Sequence, residues 1–258
     1  VPSNSQVHRQ VVRKEAEARD IELYPLVKLH YVEVTEPDMH DPSGDLQRLE
    51  LALAREWQLR DLACDLSVLQ QLQPALRAGQ WQVTVAVHDS SRIIAVWPGF
   101  HEMAFGLAVD VGSTTIAAHL CDLVSGEVVA SAGRMNPQIR FGEDLMSRVS
   151  YSMMNAGGAA QMTAAVREAL SELAAEVSAS AGIDKESILE VTLVGNPIMH
   201  HLVLGIDPVE LGGAPFALAI DRAVTVTAAE LDIALHPNAR VYALPCIAGH
   251  VGADTAGV

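Results

Sequence analysis

The spacing of apolar residues changes several times along the chain, and each change marks an element. Leu29 to Val34 reads as a strand, followed by the turn chemistry of Glu36-Pro37-Asp38 and Asp41-Pro42-Ser43-Gly44. Leu46, Leu49, Leu53 and Trp57 then recur at helical spacing. A second helix is expected from Ser67 to Leu76, with Pro74 inside it as a potential breaker. Trp81 to Val87 alternates with period two, His88 to Ser91 turns the chain, and Arg92 to Trp97 returns as a partner strand. Pro98-Gly99 closes this unit. Residues 1–25 are charged, lack an apolar pattern and read as a linker ended by Pro25.

A second pattern begins near Ala104. Leu107 to Val111 is an apolar strand carrying one charge, and the turn Gly112-Ser113-Thr114-Thr115 leads into a second strand, Ile116 to Cys121. Asp122 to Gly126 turns the chain again before a third strand, Glu127 to Ala132. After a loop holding Asn136-Pro137, helical pattern runs from Glu143 to Met154, and Gly157-Gly158 breaks it. Met162, Val166, Leu170, Leu173 and Val177 share one face of the next helix, which ends at Gly182. Ile188 to Val194 is a buried strand, Pro197 to Leu204 a short helix, and Arg240 to Leu244 a last strand. The order is β-β-β-α-β-α-β. The chain thus divides into a linker (1–25), a small α+β domain (26–103) and an α/β domain (104–258), with no internal repeat.

Composition narrows the function. The 258 residues suit one or two domains of roughly 150 residues each. Half the residues are apolar but only 4% are aromatic, so Ala and Val must fill the core. Seventeen Lys and Arg against thirty-two Asp and Glu give a net charge of −15. That sign argues against a nucleic-acid or anionic-membrane partner. Cys64, Cys121 and Cys246 are scattered, with no C-x-x-C pair to hold an iron–sulfur cluster. No signal pattern or long apolar run is present, and a cytoplasmic location is expected. Val1 and the closing Thr255-Ala256-Gly257-Val258 read as cut ends.

Asp110 is the most informative single position. A carboxylate in an apolar strand is costly unless paired, and a hard divalent cation, held directly or through its water, would pair it. The turn that follows offers a close-approach glycine, Gly112, and three hydroxyls, Ser113, Thr114 and Thr115. Together they describe a cradle for a phosphate tail with Mg²⁺, or else a hairpin whose Asp caps its own turn. Neither G-x-x-x-x-G-K-[ST] nor a strand-linked G-x-G-x-x-G occurs, which excludes P-loop and Rossmann sites. Asn196 follows a buried strand and reads as a site residue at the strand's carboxyl end or as a polar turn. His200-His201 is a poor metal pair, because adjacent helical residues diverge by about 100°. Glu143, Asp144 and Arg148 suit a helical ion pair, and the three cysteines suit the core.

Val109-Asp110-Val111-Gly112-Ser113-Thr114-Thr115 within this element order resembles the first phosphate loop of the actin, heat-shock chaperone and acetate/sugar kinase superfamily. Further stretches are Asn136-Pro137-Gln138, Phe141 to Asp144 with Arg148, Thr192 to Asn196, Met199 to Leu202 and Leu204 to Pro208. Pro215-Phe216 and Leu244-Pro245 through Gly249 to Asp254 complete the set. In that order they resemble the ATP-dependent reductive activators of corrinoid proteins.

The resemblance implies a fold and a function. Residues 104–258 would be the first lobe of a ribonuclease H-like, actin-like ATPase, preceded by the small α+β middle domain. The whole protein would use ATP and Mg²⁺ to return the Co(II) corrinoid of a methyltransferase's corrinoid protein to Co(I), by one electron. That electron would enter through a ferredoxin-like iron–sulfur domain or other reductant not supplied by this chain. A second lobe carrying the adenosine pocket would lie outside it too. Asp110 and Asp254 are the implied catalytic residues, with Asp110 also on Mg²⁺. Gly112, Ser113, Thr114, Thr115, Asn196, Gly249 and Gly252 would bind the nucleotide. Without the resemblance, Gly249, Gly252 and Asp254 read equally as an ordinary helix start. A small-molecule kinase for a sugar or carboxylate, or a partner-docking scaffold without catalysis, is the alternative, and a homodimer is among the assemblies left open.

Overall fold

Two sheets organise the chain in a computed structural model that describes residues 23–249 and 251–253. Most of the expected linker lies outside the described residues, and so does Asp254. The first sheet comprises β1 (Val27–Glu33), β2 (Ala63–Cys64), β3 (Gln82–His88) and β4 (Arg92–Pro98), in the order β1-β3-β4-β2. β1, β3 and β4 are antiparallel, and β2 lies parallel to β4. Helices α1 (Asp45–Trp57) and α2 (Leu66–Ala78) supply the apolar cover. Leu49 and Leu53 of α1 and Leu72 and Leu76 of α2 pack with Val83, Val85 and Ile93 of the sheet. Helix α2 continues through Pro74 to Ala78, so the breaker does not end it. The two-residue β2 is too short to leave a periodic signal.

The second sheet has six strands: β5 (Phe105–Val111), β6 (Thr115–Asp122), β7 (Val128–Met135), β8 (Ile188–Gly195), β9 (Val224–Thr227) and β10 (Arg240–Ala243). Their order is β7-β6-β5-β8-β10-β9. The first three form an antiparallel meander, β8 is parallel to β5, and β10 is parallel to β8. This is the ribonuclease H-like arrangement, extended by β9 as an antiparallel edge. β9 departs from the expected order. Its alternation Val224-Thr225-Val226-Thr227 carries a strand signal, but four residues are a weak one.

Alternation fixes which face is covered. Phe105, Leu107, Val109 and Val111 of β5 point into the core, with Ile116, Ala118 and Leu120 of β6 and Val191 and Leu193 of β8. Over them lies α4 (Gly158–Ala181), with Met162, Val166, Leu170, Leu173 and Val177 buried along the expected stripe. Truncating Leu173, which is fully buried, to Ala would cost about 2–5 kcal/mol. Helix α5 (Pro197–Leu204) adds Ile198, Met199 and Leu202, and α3 (Leu145–Met154) adds Val149.

The two units meet through a small apolar cluster and a polar clamp. Val27, Ala86, Ile94 and Ala95 on the far face of the first sheet pack with Ala104 and Leu189. Asp65 receives Arg92 and, from β10, Arg240. Ser67 donates to Asn238 Oδ1 at 2.8 Å, and Asn238 Nδ2 donates to the Ile94 carbonyl at 2.8 Å.

Candidate functional site

β5 leaves the core at Val111 and enters a tight turn. The Gly112 N–H donates to the Thr115 carbonyl at 3.0 Å, and a Cβ on Gly112 would stand 2.5 Å from that same oxygen. Glycine is therefore required here by close approach of backbone to backbone. The turn is also held from its buried side. Asn136 Nδ2 donates to the Gly112 carbonyl at 2.8 Å, Arg148 Nη2 donates to the Ser113 carbonyl at 2.5 Å, and the Asn136 N–H donates to the Thr114 carbonyl at 2.8 Å. The Ser113, Thr114 and Thr115 hydroxyls make no hydrogen bond among the described residues, and Thr114 and Thr115 are exposed.

These supporting side chains belong to a buried polar cluster. Asn136 follows β7 and caps a 3₁₀ turn (Pro137–Phe141), its Oδ1 accepting the Gln138 N–H at 2.9 Å. Pro137 suits the first position of that turn because its missing N–H would have no partner there. Gln138 is fully buried, and its Nε2 donates to the Met162 carbonyl of α4 at 3.0 Å. Arg148 is fully buried as well. Its Nε donates to the Gly142 carbonyl at 3.0 Å, and its Nη1 lies 3.4 Å from Met199 Sδ. Burial pulls the guanidinium pKa below its ordinary value, and the nearby Asp144 charge partly opposes that.

The expected ion pair of Asp144 with Arg148 is not formed among the described residues. Helix α3 starts at Leu145, which leaves Asp144 as its N-cap, accepting the Ser147 N–H at 2.7 Å. That bond holds the Asp144 carboxyl below the usual carboxylate range. Arg148 consequently turns inward. The sequence suggested a helical ion pair, whereas the fold buries Arg148 against backbone carbonyls. The available signal was local: Asn-Pro at a strand end is an N-cap with Pro at N1, which fixes Asn136 beside the turn.

Asp110 lies on the sheet face opposite the core, half-buried, opposite Ala117 on β6 and Val194 on β8. The apolar run around it reflects the alternate face of the strand, so its carboxylate is not immersed in the apolar core. The next register step along β5, Ala108, brings His119 and Thr192 to the same face. Asn196 follows Gly195, the parallel partner of Val111, and so stands at the same end of the sheet as the turn. Its Oδ1 caps α5 by accepting the Met199 N–H at 3.1 Å.

Gly249 and Gly252 follow β10, which is parallel to β8 as β8 is to β5, so this segment leaves the sheet at the same end as the turn, and no backbone hydrogen bond among the described residues joins the two. β10 ends at Ala243, and an irregular stretch leads to a tight turn closed by Ala248 and Val251. A helical residue follows at Ala253, within the stretch where the sequence places a helix start. A Cβ on Gly249 would stand 2.0 Å from the Phe216 carbonyl oxygen, so this glycine too is dictated by backbone contact.

The adjacent histidines have different settings. His201 Nδ1 donates to the Pro197 carbonyl at 2.9 Å, leaving Nε2 to accept the Ala219 N–H at 3.1 Å. His200 is buried with neither ring nitrogen partnered among the described residues, against a small cavity lined also by Val111, Gly195 and Met199. Burial, then the His201 charge, lowers its pKa to about 4. Among the described residues no three His, Cys, Asp or Glu side chains converge as metal ligands. No helix among them is long and apolar enough to cross a membrane.

Comparison with known proteins agrees with this architecture. The RACo linker region matches residues 16–103, and the RACo middle region matches residues 105–258. A curated protein of Eubacterium limosum, the corrinoid activation enzyme RamQ, is 30% identical over 196 residues, covering 75% of this chain and 33% of its own. A solved structure, the reductive activator for corrinoid, iron–sulfur protein, superposes with a TM-score of 0.80 at 34% identity, covering 92% of this chain and 38% of that one. The chain therefore spans about a third of the length of the relatives it matches.

Proposed function

The chain belongs to the RACo family, whose linker and middle regions it carries, and from that premise we propose that it forms the phosphate-binding side of the ATP site in a reductive activator of a corrinoid protein. The observation that carries this reading is the Gly112 to Thr115 turn. Its carbonyls are engaged from behind while its hydroxyls remain uncommitted, at the carboxyl end of β5. Ligands of open α/β sheets bind at such strand ends.

The residues suit Mg-ATP. Asp110 and the hydroxyls of Ser113, Thr114 and Thr115 are hard oxygen donors, the type that Mg²⁺ takes together with water and phosphate oxygens. Bound Mg²⁺ neutralises phosphate charge. Ser113, Thr114 and Thr115 hold the phosphate tail, Asp110 orients its water shell, and Asn196 stands at the rim. Gly249 and Gly252, with Asp254, follow β10, which runs parallel to β8 as β8 does to β5, and would bind the nucleotide from that same end of the sheet.

In the full protein, ATP binding and hydrolysis bias two arrangements of the lobes, because a ligand shifts such an equilibrium only by its differential affinity. The closed arrangement promotes transfer of one electron to the Co(II) corrinoid of a methyltransferase's corrinoid protein, giving Co(I). The electron comes from an iron–sulfur domain of the full protein or its reductant. The test is to mix the full-length protein, a reductant and the Co(II) corrinoid protein, then follow the Co(I) spectrum and phosphate release. ATP-dependent Co(I) formation, with phosphate released to water, is expected. Co(I) formation that ignores ATP, or phosphate transferred to a small-molecule acceptor, overturns the reading.

A further inference from the structure

We propose that Asn136 and Arg148 are positioning residues for phosphate binding, gripping the Gly112 and Ser113 carbonyls so that the N–H groups of Ser113 and Thr114 form an anion nest facing away from the buried cluster. The inference rests on the nucleotide reading above and adds to it two residues that touch no ligand.

The geometry follows from the planar trans amide, in which N–H and C=O point in opposite directions. The Gly112 carbonyl is turned toward Asn136 Nδ2, so the Ser113 N–H of the same amide points away from the buried cluster. The Ser113 carbonyl is turned toward Arg148, so the Thr114 N–H points away as well. Neither N–H donates to any group among the described residues. Successive N–H groups that share a concavity are an anion-binding arrangement. A cation on the carbonyl also polarises the amide and strengthens its N–H as a donor.

Arg148 supplies the independent argument. Its side chain is fully buried, and its described contacts are the carbonyls of Ser113 and Gly142, the Gln138 amide oxygen and the Met199 thioether. No carboxylate forms an ion pair with it among the described residues. A buried guanidinium that bonds no carboxylate directly, with the Asp144 charge acting only from nearby, is unfavourable, and a phosphate just beyond the turn would add negative charge beside it. The planar fork spans two carbonyls on separate segments, which a lysine ammonium cannot reproduce.

The experiment uses the full-length protein with Asn136→Ala, Arg148→Lys and Arg148→Met, titrated with Mg-ATP and separately with adenosine. Mg-ATP affinity is expected to fall about tenfold or more, the scale for losing hydrogen bonds to a charged group, while adenosine binding holds. A merely structural role would weaken both ligands alike, and that result overturns the proposal. Folded variants that bind Mg-ATP as the wild type does overturn it too. If neither Arg148 variant folds, Asn136→Ala decides alone. A wild-type protein that binds adenosine and Mg-ATP equally, or neither, removes the nucleotide reading itself, which separates that failure from this one.

Discussion

Asp65, at the start of α2, holds Arg240 of β10 at 2.6 Å while its other oxygen holds Arg92 of β4 at 2.8 Å. One carboxylate thus ties the four-stranded sheet to the strand that leads into the Gly249 segment. The Asp65 and Arg240 side chains are mostly buried, 17% and 15% exposed, so screening by solvent is weak. Removing Asp65 strands the Arg240 guanidinium at the joint, whereas Arg92, 42% exposed, keeps its access to water.

Asp65→Ala is therefore expected to destabilise the protein by about 3 kcal/mol, the scale for breaking a buried pair from one side. Urea denaturation measures it. The double variant Asp65→Ala/Arg240→Leu should recover part of the loss, because the uncompensated charge on β10 is gone. Equal loss in both would mean that Asp65 acts through α2 alone.

Asp110 stands near the carboxyl end of β5, two residues before the glycine that starts the turn. Asp110→Asn keeps the shape and removes the charge that would orient hydrated Mg²⁺. In the full-length protein, ATP hydrolysis should fall by about 10², the scale for one electrostatic catalytic group. Gly112→Ala should act through the backbone, since its Cβ would collide with the Thr115 oxygen. Phosphate release assays on the folded variants decide both, and a wild-type rate in Asp110→Asn removes that residue from the chemistry.

Much of the fold was legible because burial repeats with the period of the element. The α4 stripe from Met162 to Val177 and the alternation of β5 are both visible in the residues alone. Pro197 and Gly205 likewise bracket α5 as start and stop signals. What was not legible is polarity turned inward. Arg148 looks like half of a helical ion pair until Asp144 is seen capping α3, and Gln138 looks like loop until α4 covers it. Asp110 shows the reverse. Its neighbours suggested immersion in the core, whereas the sheet's second face leaves it half-buried.

Cys64 is held as a thiol. Burial, then the Asp65 and Glu50 charges, push its pKa up to about 11. At pH 8 its thiolate fraction is about a hundredfold below that of an ordinary cysteine, and alkylation should slow in proportion. Cys121 is shifted in the same direction by burial. Iodoacetamide labelling followed by peptide mass spectrometry, native against urea-unfolded, measures the ratio. Equal labelling rates at Cys64 in the two states would contradict the buried setting.

His200 makes the stability of the lobe sensitive to acid. Its folded pKa is about 4, against 6.5 for the exposed imidazole of the unfolded chain. Between those values the unfolded state binds the proton and the folded state does not, so stability rises with pH through that window. The contribution is fully present above pH 6.5 and is lost as pH falls toward 4, amounting to about 3 kcal/mol. His201 and His236 are lowered by burial in the same sense and add to the slope. At neutral pH, His200 keeps two ring nitrogens without partners among the described residues, which is itself unfavourable. His200→Leu should therefore fold at least as stably at pH 7.5 and lose less stability on acidification. Urea midpoints of the two proteins at pH 7.5, 6 and 5 are the measurement. Parallel curves would place the titration on another group, whereas a difference that widens as pH falls assigns it to His200.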